Sequence, residues 1–183
     1  LNPQTFSICK ADMMISGDNP ENIKYGSSLS RDGFVGNKFD YMITNPPYGD
    51  DWYSDKDFVT NERENPEGRF SVGVPKITDG QLLFVQHLIS KMEAKPRGSR
   101  IGVVLNASPF FTGDAGSGES EIRKWIIEND WLECIISLPN QLFFNTPIST
   151  FIWIISNRKE EKRKGKIQLI DGSSSFKRMK KSL

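Results

Sequence analysis

Histidine is almost missing from this chain, with His87 the sole example, and cysteine is limited to Cys9 and Cys134. Neither cysteine sits in a CxxC pair and no Cys/His cluster exists, so a zinc site of the common kinds is excluded, no metal is expected, and free thiols are expected. No apolar run approaches the roughly 20 residues that a membrane span needs, which argues against a membrane role. The opening LNPQTFSICKADMMISGDNP has no basic segment followed by an apolar one, so no signal peptide is read, and a cytoplasmic location follows. The first residue is Leu1, not Met, and the expectation is a segment of something longer. Internal repeats are absent as well. With 37% hydrophobic and 26% charged residues, the 183-residue chain has the composition of one globular domain or a large piece of one.

Charge of one sign is lacking overall, since 24 Lys and Arg face 23 Asp and Glu. The balance hides an asymmetry. From Arg158 to Leu183 ten Lys or Arg stand against three acids, a net of +7, which leaves −6 for residues 1–157. Such an end suits phosphates. It equally suits a solvated hairpin tip (NRKEEKRKGK) and a charged tail (FKRMKKSL), so 158–183 reads as a basic hairpin and tail.

Hydrophobic patterning then gives the architecture. Phe39 to Thr44, Arg100 to Leu105 and Leu132 to Leu138 read as strands, the last with Leu132, Cys134, Ile136 and Leu138 alternating. Ser149 to Ser156 is nearly continuous in apolar and β-branched residues, as for a strand covered on both faces. Between them, Asp79 to Lys95 places Leu82, Val85, Leu88, Ile89 and Met92 on one helical stripe, and Glu119 to Asn129 does so with Ile122, Trp125 and Ile126. Residues 2–16 also read as helical, and Tyr25 to Leu29 as a short strand end. Strands alternating with helices predict an α/β fold with a largely parallel sheet. PNQLFFNTPI, between Leu138 and Ser149, is too short for a helical crossover, so an antiparallel strand pair is expected near the end, with Lys166 to Asp171 extending that edge through a turn at Lys164 and Gly165. Asp50 to Thr78, polar and without periodicity, reads as a long mobile loop.

The stretch FDYMITNPPYGDDW carries the chemistry. NPPY follows a strand at its carboxyl end, where open α/β sheets bind ligands. Pro46 keeps Asn45 out of the helical region and Pro47 does the same to Pro46, so a stiff, extended loop presents the Asn45 side-chain oxygen and the Pro46 carbonyl at fixed positions, with the flat ring of Tyr48 beside them. Two acceptors and an aromatic face suit a planar NH₂ group. They grip both N–H bonds and stabilise the positive charge that develops as the nitrogen attacks an electrophile, without a strong general base. His87, inside a helical pattern, is accordingly expected to be a packing or surface residue.

NPPY after an apolar strand is similar to the catalytic motif of S-adenosylmethionine-dependent amino-methyltransferases, above all the N6-adenine DNA enzymes, although protein-glutamine and ribosomal-RNA guanine methyltransferases carry similar motifs. DGQLLFVQHLISKM, GSRIGVVLNASPFFTG, EIRKWIIENDWLECIISLPNQLFFNTPISTFIWIISN and KGKIQLIDGSSSFKRMKKSL together resemble the modification subunit of type I restriction-modification systems, over most of the chain. The resemblance implies a Rossmann-like methyltransferase fold, of which 1–183 would be part of the catalytic domain. It implies methyl transfer from S-adenosylmethionine to a flipped adenine in double-stranded DNA, alongside specificity and restriction subunits.

Asn45 and Pro46 would accept from the adenine amino group, Pro47 would stiffen the loop, and Tyr48 would stack on the base. In LFFNTPIST, Phe143, with Phe144 in reserve, would meet the opposite face. The family's Gly-rich cofactor loop is expected upstream of Leu1, and GDAGSG at Gly113 to Gly118 is not read as its replacement. Ser27 and Ser28 fall where the family has a residue near the cofactor's adenine, Ser27 departing from the usual acidic or amide residue. The segment alone is therefore expected to be inactive. Two further readings stand beside this one: a different methyl acceptor, and a catalytically silent DNA-binding or assembly module.

Overall fold

The computed structural model describes residues 2–143 and 147–177. A five-stranded sheet forms from β1 (Tyr41–Thr44), β2 (Arg100–Asn106), β3 (Leu132–Ser137), β4 (Thr150–Ser156) and β5 (Gln168–Asp171). Their spatial order is β1-β2-β4-β3-β5. β1 and β2 are parallel, β4 is antiparallel to both β2 and β3, and β5 is parallel to β3. One reversed strand thus sits in an otherwise parallel sheet, as expected of an α/β fold with an antiparallel pair near its end. Sequence order did not reveal that β4 inserts between β2 and β3.

Five helices accompany it among the described residues: α1 (Pro3–Ser16), α2 (Lys56–Arg63), α3 (Gln81–Ser90), α4 (Ser108–Phe111) and α5 (Gly118–Glu128). Asn2 caps α1 by accepting from Gln4 N at 2.8 Å, with Pro3 at the first helical position. Ser117 caps α5 in the same way through Ser120 N. The main core joins α3 and α5 to one face of the sheet: Leu82, Val85, Ile89, Ile122 and Ile126 pack on Ile101, Val103, Leu105, Trp153 and Ile155. α3 is shorter than its apolar stripe because Lys91 leaves the helix with ψ near 0° and turns its ammonium to Asp32 and to the Phe34 carbonyl. Met92 then continues the sheet as a parallel bridge to Phe39.

Four expectations need correction. Residues 50–78 are not an irregular mobile loop. They hold α2 and a second core in which Trp52, Val59 and Phe70 pack with Leu29 and Leu83. Their apolar residues are too irregularly spaced to register as a period. Within residues 158–177 the chain does not fold back on β4 as a hairpin; β5 pairs in parallel with the far side of β3. Lys159 is buried against Asp130 and the Lys166 carbonyl, and this pins the connection across the end of the sheet. Alternation in β3 fails where a bulge between Leu132 and Cys134 turns Leu132 toward α5 and Cys134 to the other face. Tyr25 to Leu29 is a turn, closed by Arg31 N donating to Ser27 O at 2.7 Å.

Candidate active site

β1 ends at Thr44, opposite Val103, and Asn45 to Tyr48 leave the sheet at the carboxyl edge that β2 also reaches. Pro46 is buried, Asn45 and Pro47 are exposed and Tyr48 is half-buried, so the loop is rooted by one proline and presents the rest. The Tyr48 hydroxyl donates to Asn45 Oδ1, which orients the carboxamide. Burial pushes the Tyr48 hydroxyl above the usual tyrosine range, and the Asn45 hydrogen bond only partly opposes this, so the ring is neutral at ordinary pH. Among the described residues no hydrogen bond reaches the Pro46 carbonyl. Gly49 has φ +65°, a conformation that a side chain at this position would strain, and it turns the chain back toward the protein.

The exit of the loop is anchored. Asp50 O accepts from Gly80 N at 3.1 Å, Trp52 N donates to Ile77 O at 3.1 Å, and the buried Trp52 indole donates to Lys76 O at 3.0 Å. Sequence reasoning missed Trp52. Its signal was a lone tryptophan in a polar stretch.

Phe143 is half-buried in the link from β3 to β4, whose neck is closed by Leu138 N to Thr150 O at 3.0 Å and Ser149 Oγ to Asn140 Oδ1 at 2.8 Å. That link emerges at the same edge as the Asn45 loop, since Asn106 at the end of β2 is in register with Thr150. Two strand spacings, about 10 Å, separate β1 from β4. Phe144, the reserve position, lies outside the described residues.

The residues expected near the methyl donor are occupied by other bonds. Ser27 Oγ donates to Asp55 Oδ2 at 3.0 Å, and the Ser28 carbonyl accepts from Arg69 at 2.8 Å. The Gly113 to Gly118 turn is a packing device: a Cβ on Gly118 would stand 1.8 Å from the Val74 carbonyl oxygen.

His87 belongs to a structural network on the other side of α3. Arg69 donates to His87 Nδ1 at 2.8 Å while also holding Glu62 and the Ser28 and Leu29 carbonyls. Burial, then the Arg69 charge, lowers the His87 pKa to about 4, so it is neutral and acts as an acceptor. Within the described part of the basic end two lysines pair with neighbouring acids, while Lys159 and Arg163 reach Asp130 and Glu133 outside it. Lys162 meets Glu160, Lys164 meets Glu161, and Arg163 reaches Glu133 at 3.5 Å.

The sequence pattern of the N-6 DNA methylase family matches residues 1–183. The chain belongs to that family. The chain is 31% identical over 173 residues to the methylase subunit of the type I restriction enzyme HindI from Haemophilus influenzae, covering 93% of this chain and 36% of that protein. It is 28% identical over 178 residues to the MjaIX methylase subunit from Methanocaldococcus jannaschii, covering 97% and 31%. It therefore spans about a third of the length of the curated relatives it matches. Among solved structures, the type I restriction-modification methyltransferase subunit from Streptococcus thermophilus superposes with a TM-score of 0.79 at 26% identity, over 98% of this chain and 37% of that one. A class I S-adenosylmethionine-dependent methyltransferase from Listeria monocytogenes, at 19% identity and a TM-score of 0.52, shares the fold. The resemblance read from NPPY and the later segments is borne out at the level of family and fold.

Proposed function

We propose that this methylase chain forms the methyl-acceptor half of a DNA adenine-N6 methyltransferase, as part of the modification subunit of a type I restriction-modification system. The observation that carries the reading is the rooted loop at the end of β1, where Asn45 Oδ1 is oriented by Tyr48 and the Pro46 carbonyl has no hydrogen-bond partner among the described residues. A flipped adenine stacks on the Tyr48 ring and donates its amino hydrogens to those two oxygens. The acceptors stabilise the charge that builds on the nitrogen during alkylation, and the proton leaves to water because the alkylated nitrogen is acidic. Phe143 closes the opposite face of the base, at about 1 to 3 kcal/mol of stacking. S-adenosylmethionine supplies the methyl group when bound.

Double-stranded DNA, a specificity subunit and a restriction subunit are the partners of this reading, and the 183-residue chain by itself is inactive. The test is methyl transfer to duplex DNA by the full-length subunit assembled with its specificity subunit. Asn45→Ala is expected to lower kcat by at least about 100-fold, in line with loss of a transition-state acceptor. Unaltered activity in that variant would sink the assigned role. Methylation of RNA or of a protein glutamine in place of DNA would move the substrate, and DNA binding without methyl transfer would make the chain an assembly module.

A further inference from the structure

A buried polar cluster stands at the amino end of α3, behind the loop just described. Asp79 is only 8% exposed, and none of the ion pairs among the described residues includes it. Its carboxylate accepts from Gln81 N at 3.2 Å, from Gln81 Nε2 at 2.9 and 3.1 Å, and from Ser108 Oγ at 2.6 Å. Gln81 is fully buried. Its carboxamide also reaches the end of β2, where Nε2 donates to Asn106 Oδ1 at 2.9 Å and Oε1 accepts from Asn106 N at 3.0 Å. Asn106 Oδ1 in turn accepts from Ser108 N at 2.8 Å.

A carboxyl group without a cation partner is expensive to bury unless it is hydrogen-bonded, and the bonds from Gln81 and Ser108 supply that. A core of apolar side chains would hold α3 on the sheet without it. What the cluster adds is register: it fixes the turn after β2 to the first turn of α3. The backbone leading into that turn of α3 holds the exit of the Asn45 loop, because Gly80 N donates to Asp50 O and Trp52 is bonded to Lys76 and Ile77. The loops after β1 and β2, adjacent at the carboxyl edge, are thereby tied to one small piece of backbone.

We propose that Gln81 is a positioning residue for the methyl-transfer site, its carboxamide locking the turn after β2 and the exit of the Asn45 loop into one relative geometry. This rests on the functional reading above. A misplacement of about 1 Å in a reacting group lowers rate by about 100-fold, so the effect appears in kcat more than in substrate binding.

The test uses the complete modification complex. In Gln81→Glu, a carboxylate faces Asp79 and the Asn106 acceptor. The expected result is a fall in kcat of about tenfold or more near pH 8 with the KM for DNA nearly unchanged. Partial recovery is expected toward pH 6, because burial beside Asp79 raises the new carboxyl's pKa and its protonated form restores a donor. Hydrogen exchange at residues 48–53 and 107–112 should accelerate together.

Unchanged kcat, or faster exchange confined to 107–112, overturns the proposal. Should Gln81→Glu fail to assemble, Ser108→Ala removes the Ser108 Oγ bonds to Asp79 and to Thr112 and carries the same test, with a smaller fall in kcat and the same joint exchange expected, and unchanged kcat overturning it. Wild type and Asn45→Ala run alongside: no methyl transfer to DNA by wild type defeats the functional reading, while exchange still decides whether the two loops are coupled.

Discussion

The two faces of the sheet differ sharply in how they are finished. On the α3 and α5 side, Ile101, Val103, Leu105 and Ile155 have no exposed surface. On the other side Tyr41 is 77% and Ile43 91% exposed, Val104, Ile152 and Ile154 are only half-buried, and no hydrophobic cluster forms among the described residues. The open side nonetheless carries apolar residues, with Val104, Ile136, Ile152 and Ile154 on it beside Gly102. A strand such as TFIWIIS has the composition of a doubly covered strand, and the described residues cover it once. One face is thus a finished core, while the other has the chemistry of a core without its cover.

That contrast can be broken most forcefully from the finished side. Val103→Asp buries a charge with no partner and should cost more than about 4 kcal/mol, so the isolated chain should lose its cooperative urea transition. Trp52→Ala, in the second core, should cost about 3 to 5 kcal/mol by urea denaturation, and in the full-length enzyme it should also lower methyl transfer.

A smaller effect belongs to His87. Its folded pKa lies below the ordinary 6.5, so the unfolded chain takes up the proton first. This stabilisation is complete above about pH 6.5, declines as the pH falls toward about 4, and has no slope below that value. Urea midpoints measured across that window should shift in the wild type and flatten in His87→Asn. The smallest change is expected on the unfinished face. Ile43→Asp should alter the isolated chain by no more than about 0.5 kcal/mol. Repeated in the full-length protein, a loss above about 2 kcal/mol would show that a cover sits there, and an unchanged midpoint would show that it does not.

Much of the fold was legible because each strand and helix carries its own period. β2, α3 and α5 were found within a few residues, since burial on one side imposes a regular stripe. The misses have a common cause: they depend on residues distant in sequence. The insertion of β4 between β2 and β3, the parallel placement of β5 and the bulge at Leu132 are decided by pairing, which no local pattern encodes.

The candidate site divides in the same way. Asn45 to Tyr48 could be read because prolines act on their own backbone. Trp52, Gln81 and Asn106 could not, since Gln81 becomes meaningful only beside a strand end 25 residues away. The serines at 27 and 28 were placed by resemblance alone; Ser27 Oγ bonds Asp55 and the Ser28 backbone carbonyl accepts from Arg69.

The hydrogen bond from Tyr48 to Asn45 bears on selectivity. An idle loop with a bare acceptor would welcome any passing donor, whereas here that oxygen already has a tenant. Entry becomes an exchange in which the newcomer must offer a donor good enough to share or displace the phenol, and must lie flat on the same ring. A group that can only accept hydrogen bonds has nothing to trade, so the resting loop screens candidates before any chemistry begins.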